Sequence, residues 1–361
     1  MTTIQTVFSE QELLADQPTA ESLIVGGVRC HGGFDDDGRY VSPRTRFRSP
    51  AIEAWQVQHR NQFGTDLLDV PLDTWPAHHP NVAQARHLIA HGVHEPLIAT
   101  LTRIGTVEGF GANIRLLNPT NMQRYFVEHI AGTATDHLGT GLFEAHGRDE
   151  AGWEEEAGHQ EMWFAARDVA FEGRSATVDL DAMLQRLGFG HGGGGSYGGG
   201  GAAPERALPD DIPMEIERIA SLMIRVLLIE ISAFHTFAWA EEWLSDPDLV
   251  AGDGAAGRLV TYIRADETPH VGYLQTSLSE MRDRTWVGES GTHHSGTEMI
   301  GRLWDKALAQ SLGPNRLANR RSSIAEVEHW CSQRSDGDDV LEGFVHLADP
   351  EPADDGEDAD S

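Results

Sequence analysis

The chain has 361 residues with 27 basic and 57 acidic side chains, a formal charge of −30, and an apolar share of 40%, enough for a sizeable core. A wholly disordered chain is thereby excluded. Sequence-independent binding to nucleic acid, and attraction to an anionic membrane surface, are disfavoured because both run on Lys and Arg neutralising phosphates, and Lys306 is the only lysine.

Residues 1 to about 75 read as irregular. The stretch Gly26–Pro50 is rich in turn formers and holds Arg29, Arg39, Arg44, Arg46 and Arg48, which predicts a loop-rich cap with a short hairpin. Met1 to Gln17 carry acids and no basic run ahead of an apolar one, so no signal peptide is expected and the cytoplasm is the expected location. From Pro80 the texture turns helical. One helix ends near Gly92, and Pro96 opens a second at its first position.

Four longer helices are expected over Asn118–Gly139, Asp149–Glu172, Asp211–Leu244 and Ala255–Asp283, then shorter ones over Thr297–Ser311 and Ile324–Cys331. Ser221–Trp243 is long and apolar enough to span a bilayer. Arg225, Glu230, His235, Glu241 and Glu242 interrupt it, and a charge near a helix centre costs about 3 kcal/mol on insertion, so a buried core helix fits better. Two low-complexity segments, the glycine tract Gly188–Gly201 and the acidic tail Asp349–Ser361, are expected to be flexible and dispensable. Cys30 and Cys331 stand far apart without a CxxC pair, which excludes a disulfide framework or cysteine-based zinc finger. The chain reads as mainly α.

Two Glu-x-x-His tetrads carry the chemistry, Glu156-Ala-Gly-His159 and Glu267-Thr-Pro-His270. Residues three apart share a helix face, so a carboxylate and an imidazole can point at one ion. Glu230 sits in VLLIEISAF with nothing else charged between Val226 and Ala240; a carboxylate there must be protonated, paired or metal-bound. Glu128, in RYFVEHIAG, occupies a similar place. The competing readings are a surface glutamate for Glu128, a solvated acidic face for Glu156 and His159, an ion pair of Glu230 with Arg225 or Arg264, and an exposed Glu267–His270 pair. The order Glu, Glu-x-x-His, Glu, Glu-x-x-His, one element per long helix, is the layout by which four-helix bundles hold two metal ions. A rival set, His87, His91 and His94 with Glu95, could bind zinc, though Gly92 threatens its alignment.

On these residues the sequence resembles the ferritin-like di-iron carboxylate superfamily over about 118–283, and Asp266-Glu267-Thr-Pro-His270 looks like that superfamily's Asp-Glu-x-x-His signature. The resemblance implies a four-helix bundle over 118–283 with a Gly-rich insertion at 188–204, a cap over 1–117, a helical extension over 284–347 and a tail over 348–361. It makes Glu128 a terminal ligand, Glu156 and Glu267 bridges, His159 and His270 the two imidazoles and Glu230 the third-helix carboxylate. Two iron ions, or manganese with iron, are implied. Pro269 predicts a kink in the last helix, and Trp163 stands where a ribonucleotide reductase small subunit carries its radical tyrosine. The implied activity is a di-iron oxidase or oxygenase acting with dioxygen on a small organic substrate, fed by an external electron donor, with a homodimer admissible. The alternatives are an iron-storing ferroxidase and a metal-free helical scaffold.

Overall fold

The N-terminal segment folds despite its irregular texture. In the computed structural model, which describes residues 5–69, 75–117, 119–174 and 206–348, Ser9 and Glu12 form a capping box that starts a single turn, α1 (Glu10–Leu13). An antiparallel sheet follows, with β1 (Glu21–Val25), β2 (Val28–Phe34) and β3 (Tyr40–Val41) in sequential order. The expected hairpin thus gains a third strand. Next comes an unexpected helix, α2 (Thr45–Phe63), which buries Arg48, Ala51, Ile52, Trp55 and His59. Arginines on its buried side and Pro50 inside it mask its period.

Helices α3 (Val82–Ala90) and α4 (Glu95–Gly111) lie where Pro80 and Pro96 place them, and Pro96 occupies the first turn of α4. The single helix expected over 118–139 does not form. Left-handed backbone at Asn121 (φ 53) and Gly132 (φ 70) leaves a 3-10 turn at Met122–Tyr125, a loop, and one turn, α5 (Ala134–His137). A π-type stretch, Leu138–Leu142, leads into α6 (Phe143–Ala151), and α7 (His159–Ala170) follows after a break. The long apolar helix is α8 (Met214–Leu244). The last expected long helix is divided at Glu267 into α9 (Ala255–Asp266) and α10 (Thr268–Arg282), as Pro269, which lacks a backbone donor, requires. A small hairpin, β4 (Thr285–Val287) with β5 (His293–Ser295), precedes α11 (Gly296–Gln310), α12 (Arg316–Cys331) and α13 (Gly337–His346). The glycine tract and the acidic tail lie outside the described residues.

Two apolar clusters build the core. One gathers α1, α2, α10, α11 and the first half of α8 as far as Ile231. The other gathers α3, α4, α7, α9, α12, α13 and α8 from Ala233 onward. Helices α4 and α6–α7 pack together, as do α8 and α9–α10, and α7 packs on α9. Glu230, Glu267 and His270 therefore fall in the layer where the clusters meet. Helix α8 is the one helix among the described residues long and apolar enough to cross a membrane, and 61% of its most apolar window is buried inside the protein.

Candidate metal centre

Seven buried side chains converge in that layer: Glu108 from α4, His146 and Glu150 from α6, His159 at the start of α7, Glu230 from α8, and Glu267 and His270 at the junction of α9 and α10. Their ligand atoms form two quartets, His146–Glu150–Glu230–His270 and Glu108–Glu150–His159–Glu267, with all atoms of a quartet within 4.8 Å of one another. Glu150 belongs to both. His159 Nδ1 lies 2.9 Å from Glu267 Oε1, 3.3 Å from Glu150 Oε1 and 3.6 Å from Glu108 Oε2. His270 Nδ1 lies 2.7 Å from Glu267 Oε2 and 3.2 Å from Glu150 Oε1. His146 Nε2 lies 3.5 Å from Glu230 Oε1.

Short distances alone would suit a hydrogen-bonded cluster, and His270 Nδ1 with Glu267 Oε2 has that geometry, but most of the other contacts do not. Both oxygens of Glu150, Glu267 Oε1, His146 Nε2 and His159 Nδ1 are buried without a hydrogen-bond partner. These atoms converge on common points rather than on each other. Donors about 2.1 Å from an ion and at right angles are about 3 Å apart, so the spacing suits coordination.

Electrostatics agree. Burial holds Glu108 and Glu230 well above the usual carboxyl range, with neighbouring carboxylates adding to it. Burial also works against ionising Glu267, but His159 and His270 outweigh it and hold that carboxyl well below its ordinary value. Burial, then His270, pushes His146 down to about 3, leaving the neutral imidazole a ligand must be. Burial works against charging His159 and His270, but Glu267 outweighs it and holds both well above the usual imidazole range without an ion. Once the protons are displaced, four carboxylates match two divalent cations in charge, and the fit of seven O and N donors to such ions is good.

An outer layer holds the imidazoles. Asp149 accepts from Arg44 Nε at 2.7 Å, lies 2.7 Å from Arg48 Nη2, and lies 2.9 Å from His270 Nε2. Asp266 lies 3.0 Å from His31 Nε2 and 3.6 Å from His159 Nε2, and accepts from the Tyr40 hydroxyl at 2.8 Å. Each Asp thus faces the histidine that follows the other Asp-Glu pair. A carboxylate behind a ligand histidine fixes its ring and raises its basicity. His31, Tyr40, Arg44 and Arg48 all come from the N-terminal cap, so residues before 117 complete a site whose other parts follow 118.

Of the six ligands expected, the structure brings His159, Glu230, Glu267 and His270 together and leaves two outside. Glu156 is not on a helix. Gly152 (φ 80) ends α6, and residues 152–158 loop out and return, closed by paired hydrogen bonds between Trp153 and Glu156. A side chain on Gly158 would collide with Gly152 N, so only glycine closes the neck. Glu156 instead pairs with Arg29 at 3.1 Å. Glu150, not Glu156, is the carboxylate that stands in both quartets, and the tripeptide Glu-Ala-Gly occurs at both positions, 150–152 and 156–158. Glu128 falls in the loop that replaces the expected helix, where it accepts from Thr285 N at 2.8 Å and Thr285 Oγ1 at 2.9 Å. Burial works against ionising it, but those Thr285 hydrogen bonds hold its carboxyl below the ordinary range.

Glu108, His146 and Glu150 were missed. Glu108 carried a usable signal, since no other charge lies between Arg103 and Arg115, the same isolation that singled out Glu230. Arg225 does not pair with Glu230, and Arg264 pairs with Glu241. The rival histidines do not assemble: His87 Nε2 meets Val340 O at 2.9 Å, and His91 Nδ1 meets His87 O at 2.8 Å. Cys30 and Cys331 are free and buried.

A cavity of about 1570 Å³ opens between α4 and α8 and is closed by α11 and α12; Glu108 is the one ligand candidate that lines it. No family model matches the sequence, and neither a curated protein nor a solved structure gives a match.

Proposed function

We propose that this chain is a ferritin-like di-metal carboxylate protein that activates dioxygen on an organic substrate, with Glu108, His146, Glu150, His159, Glu230, Glu267 and His270 as ligands to two iron ions, or manganese with iron. The observation that carries the reading is the shared Glu150: two quartets of buried, mostly unpartnered donor atoms joined by one carboxylate. Helices α4, α6–α7, α8 and α9–α10 each contribute, which supports the four-helix arrangement. Carboxylate and imidazole donors without thiolate favour iron or manganese.

Two such ions would supply electrons to dioxygen when bound. The protein's own part is orientation and exclusion. Asp149, sharing the Nε2 proton of His270, leaves Nδ1 its lone pair, and Asp266 does the same for His159 more loosely. His146 can donate Nδ1–H to the Tyr273 hydroxyl 3.2 Å away, which frees Nε2. The apolar surroundings keep bulk water from the centre, and Glu108 sits between the centre and the cavity. That cavity also argues against iron storage. Its wall carries Arg218, Arg225 and Arg316 without an ion pair among the described residues, while its carboxylates Glu215 and Glu217 are paired with Arg124 and Arg206. Such a wall repels incoming cations, where a ferroxidase needs a carboxylate-lined route.

Anaerobic loading with ferrous iron should leave two equivalents after desalting, and the loaded protein should take up dioxygen faster than the same free iron. Elemental analysis and an oxygen electrode read both; His87→Ala should behave like wild type. Retention of less than one equivalent, or uptake no faster than free iron, overturns the proposal. Uptake of iron far beyond two equivalents would instead make it a storage protein.

A further inference from the structure

In a chain with two acids for every base, an arginine facing solvent readily finds a carboxylate. Many here do: Arg39 with Asp35, Arg264 with Glu241, Arg302 with Glu298. Arg46, Arg60, Arg115 and Arg321 have no ion pair among the described residues, and neither have Arg218, Arg225 and Arg316, which differ from them in facing one cavity. All three are exposed, all three line the cavity, and none has an ion-pair or hydrogen-bond partner among the described residues. Lys306, the sole lysine, and Arg320 line the same wall.

The placement is ordered. Arg218, Arg225 and Ser232 recur every seven residues on the cavity face of α8, with Leu222 and Ile229 between them. Glu230 lies five residues beyond Arg225 and twelve beyond Arg218. At 1.5 Å per residue, the arginines stand about 8 and 18 Å along the axis from the height of the metal ligands. At one end of the cavity Glu215 and Glu217 are matched by Arg124 and Arg206, which leaves Arg218 and Arg225 as surplus positive charge; Leu222, Leu228 and Ile229 follow on the same helix, and Glu108 also lines the cavity. Fixed positive charge in a low-dielectric cleft concentrates anions even when the protein as a whole is negative.

We infer that the cavity binds an organic carboxylate with an extended apolar body, its head on Arg218 and Arg225 and its far end beside Glu108. That this ligand is the substrate rests on the di-metal reading; that the cavity binds it does not. The test uses 11-(dansylamino)undecanoic acid and its uncharged methyl ester, titrated by fluorescence into the full chain with iron bound and after chelation. The acid should bind at one equivalent and roughly tenfold or more tighter than the ester, since each charge-assisted contact strengthens binding by about that factor. The Arg218→Gln, Arg225→Gln double variant should lose the preference for the acid and keep the affinity for the ester. Arg302→Gln, which removes the same kind of charge from the outer surface, should change neither, and both arginines of the double variant are exposed, so its melting temperature should match wild type. Equal binding of acid and ester by wild type, or a preference that survives the double substitution, overturns the inference. Acid binding that persists in a protein unable to hold iron leaves the anion site standing and removes the di-metal reading; iron binding without acid preference does the reverse.

Discussion

Glu150→Ala is expected to empty both metal positions at once, whereas Glu230→Ala should leave about one equivalent and Glu128→Ala and Glu156→Ala both. The reason is membership: Glu150 stands in both quartets, Glu230 in one, the other two in neither. The effect should be separable from unfolding. Both Glu150 oxygens are buried without hydrogen-bond partners, but His159 and His270, 3.3 and 3.2 Å away, outweigh burial and hold its carboxyl below the ordinary range. The metal-free variant should therefore melt lower than metal-free wild type and still show one cooperative transition. Wild type should gain stability on loading, about 2.7 kcal/mol at a free-metal concentration a hundred times the dissociation constant, and the variant should gain none. Elemental analysis beside thermal scans with and without metal reads all of this. Two equivalents retained by Glu150→Ala would remove the bridging role, and a large loss of metal from Glu156→Ala would restore the ligand set expected from spacing.

Why Glu150 escaped the sequence and Glu230 did not is a matter of local physics. Glu230 is isolated in an apolar run, so its burial follows from composition, and α8 covers almost all of the expected helix. Glu267 and His270 lie three apart where helical dihedrals persist through Glu267 (φ −72, ψ −20), and the spacing holds. His159 was found for an incomplete reason: its place at the centre is real, but Glu156 reaches Arg29 through an outward loop. Removing the six residues Trp153–Gly158 from the sequence would leave Asp149-Glu150-Ala-Gly-His159, a counterpart of Asp266-Glu267-Thr-Pro-His270. A period-based reading cannot see such a loop, because the neck depends on two glycines meeting in space. The cap was opaque for another reason. Arg44, Arg48, His31 and Tyr40 look like surface residues in a turn-rich stretch, and only the distant Asp149 and Asp266 explain why the first three are buried and Tyr40 partly so. The helix expected over 118–139 failed because Asn121 and Gly132 take left-handed backbone that a hydrophobic pattern does not register.

The buried Arg48 gives the second large effect. Arg48 is fully buried, its Nη2 lies 2.7 Å from Asp149 Oδ2, and Asp149 in turn lies 2.9 Å from His270 Nε2. Arg48→Leu keeps the apolar stem and removes the charge, leaving a buried carboxylate with one guanidinium fewer. Breaking a buried pair costs about 3–5 kcal/mol. At roughly 2 °C per kcal/mol for a chain of this size, the metal-free protein should melt about 6–10 °C lower. Iron affinity should fall as well, by about 10–100-fold, because the support behind His270 is weakened. The pH dependence has a defined sign. Burial raises the Asp149 carboxyl, but Arg44 and Arg48 outweigh it and hold it well below the usual range. A depressed folded-state value stabilises the fold fully above the unfolded carboxylate value, about 3.9, and the stabilisation is lost as pH falls toward the depressed one. The difference in melting temperature between wild type and Arg48→Leu should therefore stay constant from pH 8 to 5 and narrow below about pH 4. Arg302→Leu, which breaks the exposed pair with Glu298, should shift melting by less than about 2 °C at any of these values, since exposed pairs contribute about 0–1 kcal/mol. Circular dichroism melts of chelated protein across that range decide it: an unchanged melting temperature for Arg48→Leu, or a gap that widens on acidification, would mean that Arg48 does not hold the charge of Asp149 behind the metal ligand.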